Sequence, residues 1–527
     1  MFISVFMLVL LPLTNLSLVN SYLKPHSKDS LVEGTIGYIT SLDPLFLPVT
    51  QSDRDLRELM FMKLVELDAN GNPLSGIANS WSVSQDGLHY TFYLRKDIVW
   101  QDGEPVTADD VVFTVDTGKE IATQFNQDTI GTLFNGVKVE KLSDYSVMFT
   151  LEKKNVSFFE TASIYIVPEH VLNGISVRRI YDNRFSQYPV GNGPYAIVSN
   201  SGDEVVLKAN DLYVYGAPKI TNFTYAMFST KQDLEVAFRN QQIDLVSNVL
   251  LSNMQYISEY SSLYNVNEAV MPFRRKIIFF NTRLQKLSSS NLRKGISSLI
   301  DRAQLIGLSN LDGKVSQTIY DSTSQYFNTR LKFVGFDPAQ ADALLKKDGY
   351  KKVNGYYVDV DGKILSLRLT YVDNETNNSI ANTLKSLLND QGILLDVNAQ
   401  SYDQMTKETL ATRDYDLLLY EIENTIDPDQ FDLWHSSRVD YPNLNLAGYK
   451  SNRADVYLEK GRVLDKLKDR QTEYYNLQTV INNDTPVIFL YEPQFVYIVT
   501  KSLHGVDLKG LKFPEERYFN IYKWSLQ

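Results

Sequence analysis

Three short runs, Ile277-Ile278-Phe279-Phe280, Leu417-Leu418-Leu419 and Val487-Ile488-Phe489-Leu490, are apolar at every position. Side chains alternate across a strand, so a run without a polar face needs cover on both sides. Such runs predict strands inside mixed sheets flanked by helices, and they set this chain apart from a helical bundle or a two-layer sandwich. Helical signals alternate with them. Asp337-Pro338-Ala339-Gln340 places an acid at an N-cap and proline at the first helical position, with Gly349 as the stop. Thr107-Ala108-Asp109-Asp110 opens another helix with acids in its first turn. Leu292, Ile296, Leu299, Ile300 and Ile306 form an apolar stripe at helical spacing. Tyr457, Val463, Leu464, Leu467 and Tyr474 form a second one, on a long charged helix. Tyr90, Phe92 and Leu94 alternate with Thr91, Tyr93 and Arg95 after a turn at Asp86-Gly87, and Val147, Phe149 and Leu151 repeat that pattern. At 527 residues the chain is several times the roughly 100–200 residues of one domain. No internal repeat or low-complexity linker divides it. The expected class is α/β with hairpin-rich insertions.

Residues 2–13 are apolar apart from Ser4 and Pro12, and polar residues then dilute the run before Lys24-Pro25-His26. That length suits an export signal better than a stable membrane span, which needs about 20 apolar residues. We expect residues 1–30 to be a signal peptide or an N-terminal membrane anchor, and the rest to work outside the cytoplasm.

The net charge of −11 and the lack of any run of five Lys or Arg argue against nucleic acid as a partner. Without cysteine there is no disulfide, thiolate metal site or thiol nucleophile, and five scattered histidines offer little for a metal centre. The stretch from Gly307 to Gly313-Lys314 spaces its glycines one residue too far apart for a phosphate loop, and Val315 stands where Ser or Thr belongs. Glu169-His170 lacks a second histidine at helical spacing. Asp359-Val360-Asp361-Gly362 reads as a hairpin turn, not a calcium loop. Glu421 and Glu423 share one face of a strand, an ordinary arrangement for a pair of acids. No catalytic constellation and no cofactor are expected.

Four stretches together carry a resemblance. The first runs from Gly34-Thr35-Ile36-Gly37 to Leu42-Asp43-Pro44, followed by a helix over residues 56–67 and Asp68-Ala69-Asn70-Gly71. The second is Ile77-Ala78-Asn79-Ser80-Trp81-Ser82-Val83-Ser84, continuing through Tyr90-Thr91-Phe92-Tyr93-Leu94-Arg95 to Trp100-Gln101-Asp102-Gly103-Glu104-Pro105-Val106-Thr107-Ala108-Asp109-Asp110-Val111. The third is Val190-Gly191-Asn192-Gly193-Pro194-Tyr195. The fourth is Phe280-Asn281, Arg293 and Ile300-Asp301-Arg302. From about residue 31 to the C-terminus the chain resembles the bacterial extracytoplasmic solute-binding proteins of peptide and nickel ABC transporters, the dipeptide- and oligopeptide-binding proteins.

The resemblance implies two α/β lobes of the periplasmic-binding-protein (Venus flytrap) fold, closing on a ligand. Lobe I would comprise residues 31–65, 186–274 and 487–527, with a subdomain inserted at 66–185, and lobe II residues 275–486. Crossings would fall at Arg274-Arg275-Lys276 and Thr485-Pro486-Val487. The implied role is capture of peptides for a membrane permease driven by ATPase subunits, by a monomer that carries no enzyme activity of its own. An oligosaccharide, a metal chelate or a modified peptide is the alternative cargo on the same scaffold. An exported hydrolase or a signalling receptor is the alternative of another class.

In peptide-binding relatives, a strand leads to an Asp four residues before a Pro, and that Asp holds the ligand's α-amino group. The matching strand here covers residues 417–422 and the proline is Pro428, which puts Asn424 at that position. An amide accepts a hydrogen bond but cannot neutralise an ammonium. Either Glu421, Glu423 or Asp427 supplies the charge, or the ligand has no free amino end there. Tyr420 and Ile422 belong to the same expected wall. Leu45 and Phe46 occupy the lobe I loop that faces the cleft in relatives, Trp434 would floor a pocket, and Asn377 lies in a loop that contacts the far end of oligopeptide ligands.

Overall fold

A computed structural model describes residues 29–68, 70–125, 129–180, 183–249, 255–271 and 273–527. The expected signal or anchor segment lies outside the described residues except for Asp29 and Ser30. None of the described helices is long and apolar enough to cross a membrane.

The frame is a twelve-stranded sheet. Its strands are β1 (Ser30–Ile36), β2 (Tyr195–Asn200), β3 (Glu204–Ala209), β4 (Asn222–Phe228), β5 (Leu245–Ser247), β6 (Tyr264–Val270), β7 (Arg274–Phe280), β8 (Gly313–Val315), β9 (Ser366–Val372), β10 (Leu394–Gln400), β11 (Leu417–Glu423) and β12 (Val487–Thr500). They lie in the order β10-β9-β11-β7-β12-β5-β1-β4-β3-β2, with β6 and β8 also pairing with β12. Parallel pairs (β1 with β4, β9 with β10) mix with antiparallel ones (β7 with β11).

The doubly apolar runs are the heart of it. Ile277, Phe279, Leu418, Val487 and Phe489 enter one buried cluster, while Ile278, Phe280, Leu417, Leu419, Ile488 and Leu490 enter another on the opposite face. Further along β12 the alternation continues into two different clusters, with Phe495, Tyr497 and Val499 on one side and Val496 and Ile498 on the other. One strand therefore threads two cores. Its first part pairs with β7 and its second with β6, so the sheet is two lobes' worth of strands joined by a pair of crossings. The expected crossing segment Arg274-Arg275-Lys276 opens β7, and the expected Thr485-Pro486-Val487 leads into β12, which pairs with β7 up to Tyr491 and with β6 from Gln494.

A separate four-stranded antiparallel sheet follows β1 in sequence: Ala78–Val83, His89–Leu94, Ser146–Leu151 and Val137–Ser143, in that spatial order. Phe92, Phe149, Phe134 and Phe158 fill its inner face with ring centroids 5.5–6.4 Å apart. The Ala108–Phe125 helix packs over it, its start fixed by Asp110, whose carboxylate accepts the Thr107 N–H at 2.8 Å. Gly191 and Gly193 return the chain to the main sheet. A Cβ at Gly191 would lie 2.0 Å from the Met60 carbonyl oxygen, so no other residue fits that approach.

Each expected apolar stripe breaks into two helices. The first gives Ser290–Ser298 and Arg302–Leu308, because Asp301 caps a new start by accepting the Gln304 N–H at 3.0 Å. The second gives Asn452–Gly461 and Leu467–Asp484, folded back so closely that a Cβ on Gly461 would meet the Tyr474 ring at 2.6 Å. A stripe shows only that its residues share a core; it does not show that they share one helix.

Candidate functional site

Where β7 begins and β11 ends lies a cavity of about 200 Å³. Its walls come from far-separated segments: Phe273 and Arg275 at the first crossing, residues 319–326, the loop from Asn424 to Gln430, and Asn70 with Gly510, Leu511 and Lys512 from the other side. A shallower groove of about 730 Å³ shares Asp321, Thr323, Gly510 and Leu511 with it and continues along β6 and Lys314.

The antiparallel pairing sets which side chains reach this space. Arg275 lies opposite Ile422 and projects to the same face as Ile277 and Phe279. Asn424 shares that face two residues beyond Ile422. Its backbone N–H donates to the Phe273 carbonyl at 2.7 Å and its Nδ2 to the Ile319 carbonyl at 2.9 Å. Its Oδ1 is buried without a hydrogen-bond partner. Arg275 is 1% exposed, and its three guanidinium nitrogens likewise have no hydrogen-bond partner among the described residues. Glu492 stands 3.5 Å from it as an ion pair. Burial pushes the Glu492 carboxyl up to about 7, against the pull of Arg275. Lys314 sits between Glu492 at 3.2 Å and Asp321 at 2.6 Å. Burial would raise the Asp321 carboxyl, but hydrogen bonds with Glu492, Lys314 and Thr323 hold it below the usual range.

The other face of the same strand pair carries the acids that were candidates for an ammonium partner. Glu421 lies between Arg274 at 3.3 Å and Lys276 at 3.0 Å, and Glu423 pairs with Arg274 at 3.3 Å. Burial alone would raise the Glu421 carboxyl, yet Lys276 and Arg274 hold it at about 2. Asp427 is held by both Arg470 Nη atoms, at 2.8 and 3.0 Å. None of these three lines the cavity. Tyr420 and Ile422 pack into the core below it. Trp434 is fully buried against Phe279, with its Nε1 donating to Gln430 at 3.3 Å. Leu45 and Phe46 are buried in a cluster that also holds Phe92, Phe149 and Phe223, with Phe46 bridged to Thr129. Asn377 is tied to the Val372 carbonyl at the start of its helix. Of the expected residues, Asn424 alone lines the space.

Sequence reasoning passed over Arg275, Tyr320, Asp321 and the 510–512 segment. Arg275 was signalled: it precedes Ile277 and Phe279 at period two, which places its charge on a face that must be buried. Asp321 and Gly510 carry no local signature, because only long-range pairing through β12 brings them together. A further cross-contact closes the rim. Glu160, on a short helix beside the four-stranded sheet, accepts the backbone N–H groups of Ile426 at 2.6 Å and Asp427 at 3.1 Å.

Two sets of cores threaded by one strand, beside a cavity walled by far-separated segments, are the architecture of a two-lobe solute-binding protein. Residues 72–440 match the model of the bacterial extracellular solute-binding proteins, family 5 Middle, and the chain belongs to that family. It is similar to the oligopeptide-binding protein AppA of Bacillus subtilis, 25% identical over 523 residues, 97% of this chain and 94% of that one. It is also similar to the dipeptide-binding protein of Escherichia coli, 21% identical over 469 residues, 85% of this chain and 86% of that one. Among solved structures, CtaP from Listeria monocytogenes aligns with a TM-score of 0.81 at 26% identity, covering 94% of this chain and 99% of that one. AppA from Bacillus subtilis in complex with a nonapeptide aligns at 0.79 and 24% identity, covering 96% and 100%.

Proposed function

We propose that this chain captures peptides outside the cytoplasm in the cavity between its lobes, and delivers them to an ABC permease powered by ATPase subunits. The observation that carries this is a pair of buried groups without hydrogen bonds among the described residues, the Arg275 guanidinium and Asn424 Oδ1, at one end of a cavity that opens into a longer groove. A buried polar group without a partner is costly, which favours a guest that supplies one. The likeness to oligopeptide- and dipeptide-binding proteins supports a peptide as that guest. Closure would follow from contacts that a ligand makes to both lobes only when they are shut. Lobe I would then take residues 31–65, 186–270 and the C-terminal part from about 494, with the four-stranded subdomain inserted, and lobe II the remainder.

Native mass spectrometry of the protein purified from its own host tests the reading. A peptide ladder released on denaturation is the expected result. A sugar or metal chelate in its place would overturn the peptide assignment, and turnover of peptides by the pure protein would overturn the binding role.

A further inference from the structure

We infer that Arg275 is an anion subsite, and that the ligand presents a carboxylate to it at the Asn424 end of the cavity. This rests on the reading of that cavity as the ligand site. Two cations line the space, Arg275 and Lys512. Lys512 is already engaged, donating to the Leu67 carbonyl at 2.6 Å and pairing with Glu516 at 2.8 Å. Arg275 is not: it is 1% exposed, all three guanidinium nitrogens lack hydrogen bonds among the described residues, and Glu492 approaches only to 3.5 Å.

A guanidinium is a planar fork of five donors shaped for two parallel bonds to a carboxylate, and it stays charged when buried. Leaving it without hydrogen bonds costs far more than leaving a neutral group so. Glu492 cannot take the fork itself, because Lys314 and Ser316, at 3.2 Å each, hold it to one side. Among the described residues the only carboxylate lining the cavity, Asp321, is taken up by Lys314 at 2.6 Å and by the Thr323 N–H at 2.7 Å. With an amide at position 424 and the acids at 421, 423 and 427 neutralised elsewhere, no described carboxylate lining this end of the cavity is free for an ammonium. Arg275 offers a carboxylate a dedicated counter-charge, and Asn424 Oδ1 can accept an N–H beside it. The carboxylate is either a peptide's C-terminus or an acidic side chain.

Four probes separate these sources by calorimetry: trialanine, trialanine amide, N-acetyl-trialanine, and the amide of Ala-Asp-Ala. Wild-type protein should bind carboxylate-bearing probes about ten- to a hundredfold tighter than trialanine amide, the range of a charge-assisted hydrogen bond. Tight N-acetyl-trialanine assigns the terminus, and tight Ala-Asp-Ala amide the side chain. Arg275→Gln should abolish the preference, the carboxylate-bearing probes falling to the level of the amide. Arg275→Lys, which keeps the charge and loses the fork, should fall between and serves alone if the glutamine variant does not fold. A preference that survives in Arg275→Gln, or amide bound as well as acid by the wild type, overturns the inference with peptide binding intact. If no probe binds, the peptide reading fails and the native cargo decides. An acidic cargo held by wild type and lost from Arg275→Gln supports the subsite; a neutral or cationic cargo held equally by both overturns it.

Discussion

Arg517 sits at zero side-chain exposure between two carboxylates, Glu33 at 2.7 Å and Asp55 at 2.6 Å. The surplus negative charge is met by hydroxyls: Tyr497 and Tyr518 donate to Glu33 at 2.9 and 2.8 Å, and Tyr225 to Asp55 at 2.7 Å. Removing the cation leaves two buried acids facing each other, so Arg517→Met should cost about 3–5 kcal/mol, read by urea denaturation. A loss below about 1 kcal/mol would mean that the tyrosines alone satisfy the acids. Asp43 shows the reverse case. It is fully buried, its Oδ2 has no partner, and burial pushes its carboxyl up to about 6 against the Leu45 N–H and Arg57. Because the folded state holds this proton more tightly than the unfolded one, the stability it contributes is complete below about pH 4. It is lost as pH rises through about 6. Urea midpoints from pH 4 to 7 should therefore fall more steeply in wild type than in Asp43→Asn, and parallel curves would refute the assignment. Neither environment is legible in sequence. A lone Arg or Asp looks the same on a surface, and partners such as Glu33 and Arg517 are 484 positions apart.

Elements were far more legible than single residues, and the reason is burial. Ile277 to Phe280 can be apolar on both faces only if two cores meet there, and both do. Caps were equally readable, since they are local: Asp337 accepts the Gln340 N–H at 2.9 Å and Pro338 opens the helix that Gly349 follows. Asp337→Ala should cost about 1 kcal/mol in a thermal or urea unfolding series. Helix continuity was not readable, because the breaks at Asp301 and Gly461 depend on what the chain meets in three dimensions. Close approach is a property of the element junction as well. Gly191 lets the return strand pass over the Met60 carbonyl and accept Gln101 as a bridge, with the Gly191 N–H donating to Gln101 Oε1 at 3.0 Å. Gly191→Ala should destabilise by about 1–3 kcal/mol through overpacking. It should also loosen the four-stranded subdomain first, seen as faster amide exchange at residues 78–94 than in β7 and β11. Uniform exchange across both regions would place the damage elsewhere.

At the scale of the whole molecule, function depends on what holds the lobes together, and Glu160 is the contact that ties the four-stranded subdomain to the loop beyond Asn424. Its carboxylate oxygens each accept one backbone N–H, from Ile426 and Asp427. The acids that face it are already paired, Asp427 with Arg470 and Asp429 with Arg462, and no cation among the described residues pairs with Glu160. Burial, with Asp427 and Asp429 adding to it, pushes its carboxyl up to about 7 even though those two N–H groups pull the other way. Opening the lobes would return it to water and to an ordinary value near 4.3. The closed form thus binds the proton more tightly, so protonation favours closure, most fully below about pH 4, and the effect disappears as pH rises through about 7. At a fixed subsaturating ligand concentration, the closed fraction of wild type should fall between pH 5 and 8. Fluorescence energy transfer between dyes on the two lobes reads it. Glu160→Gln, which cannot titrate, should flatten the profile over that interval; burial also pushes the Glu492 and Glu515 carboxyls up to about 7, and Glu492→Gln separates the share of the first. A wild-type slope that persists unchanged in both variants would show that closure is not proton-linked at this rim.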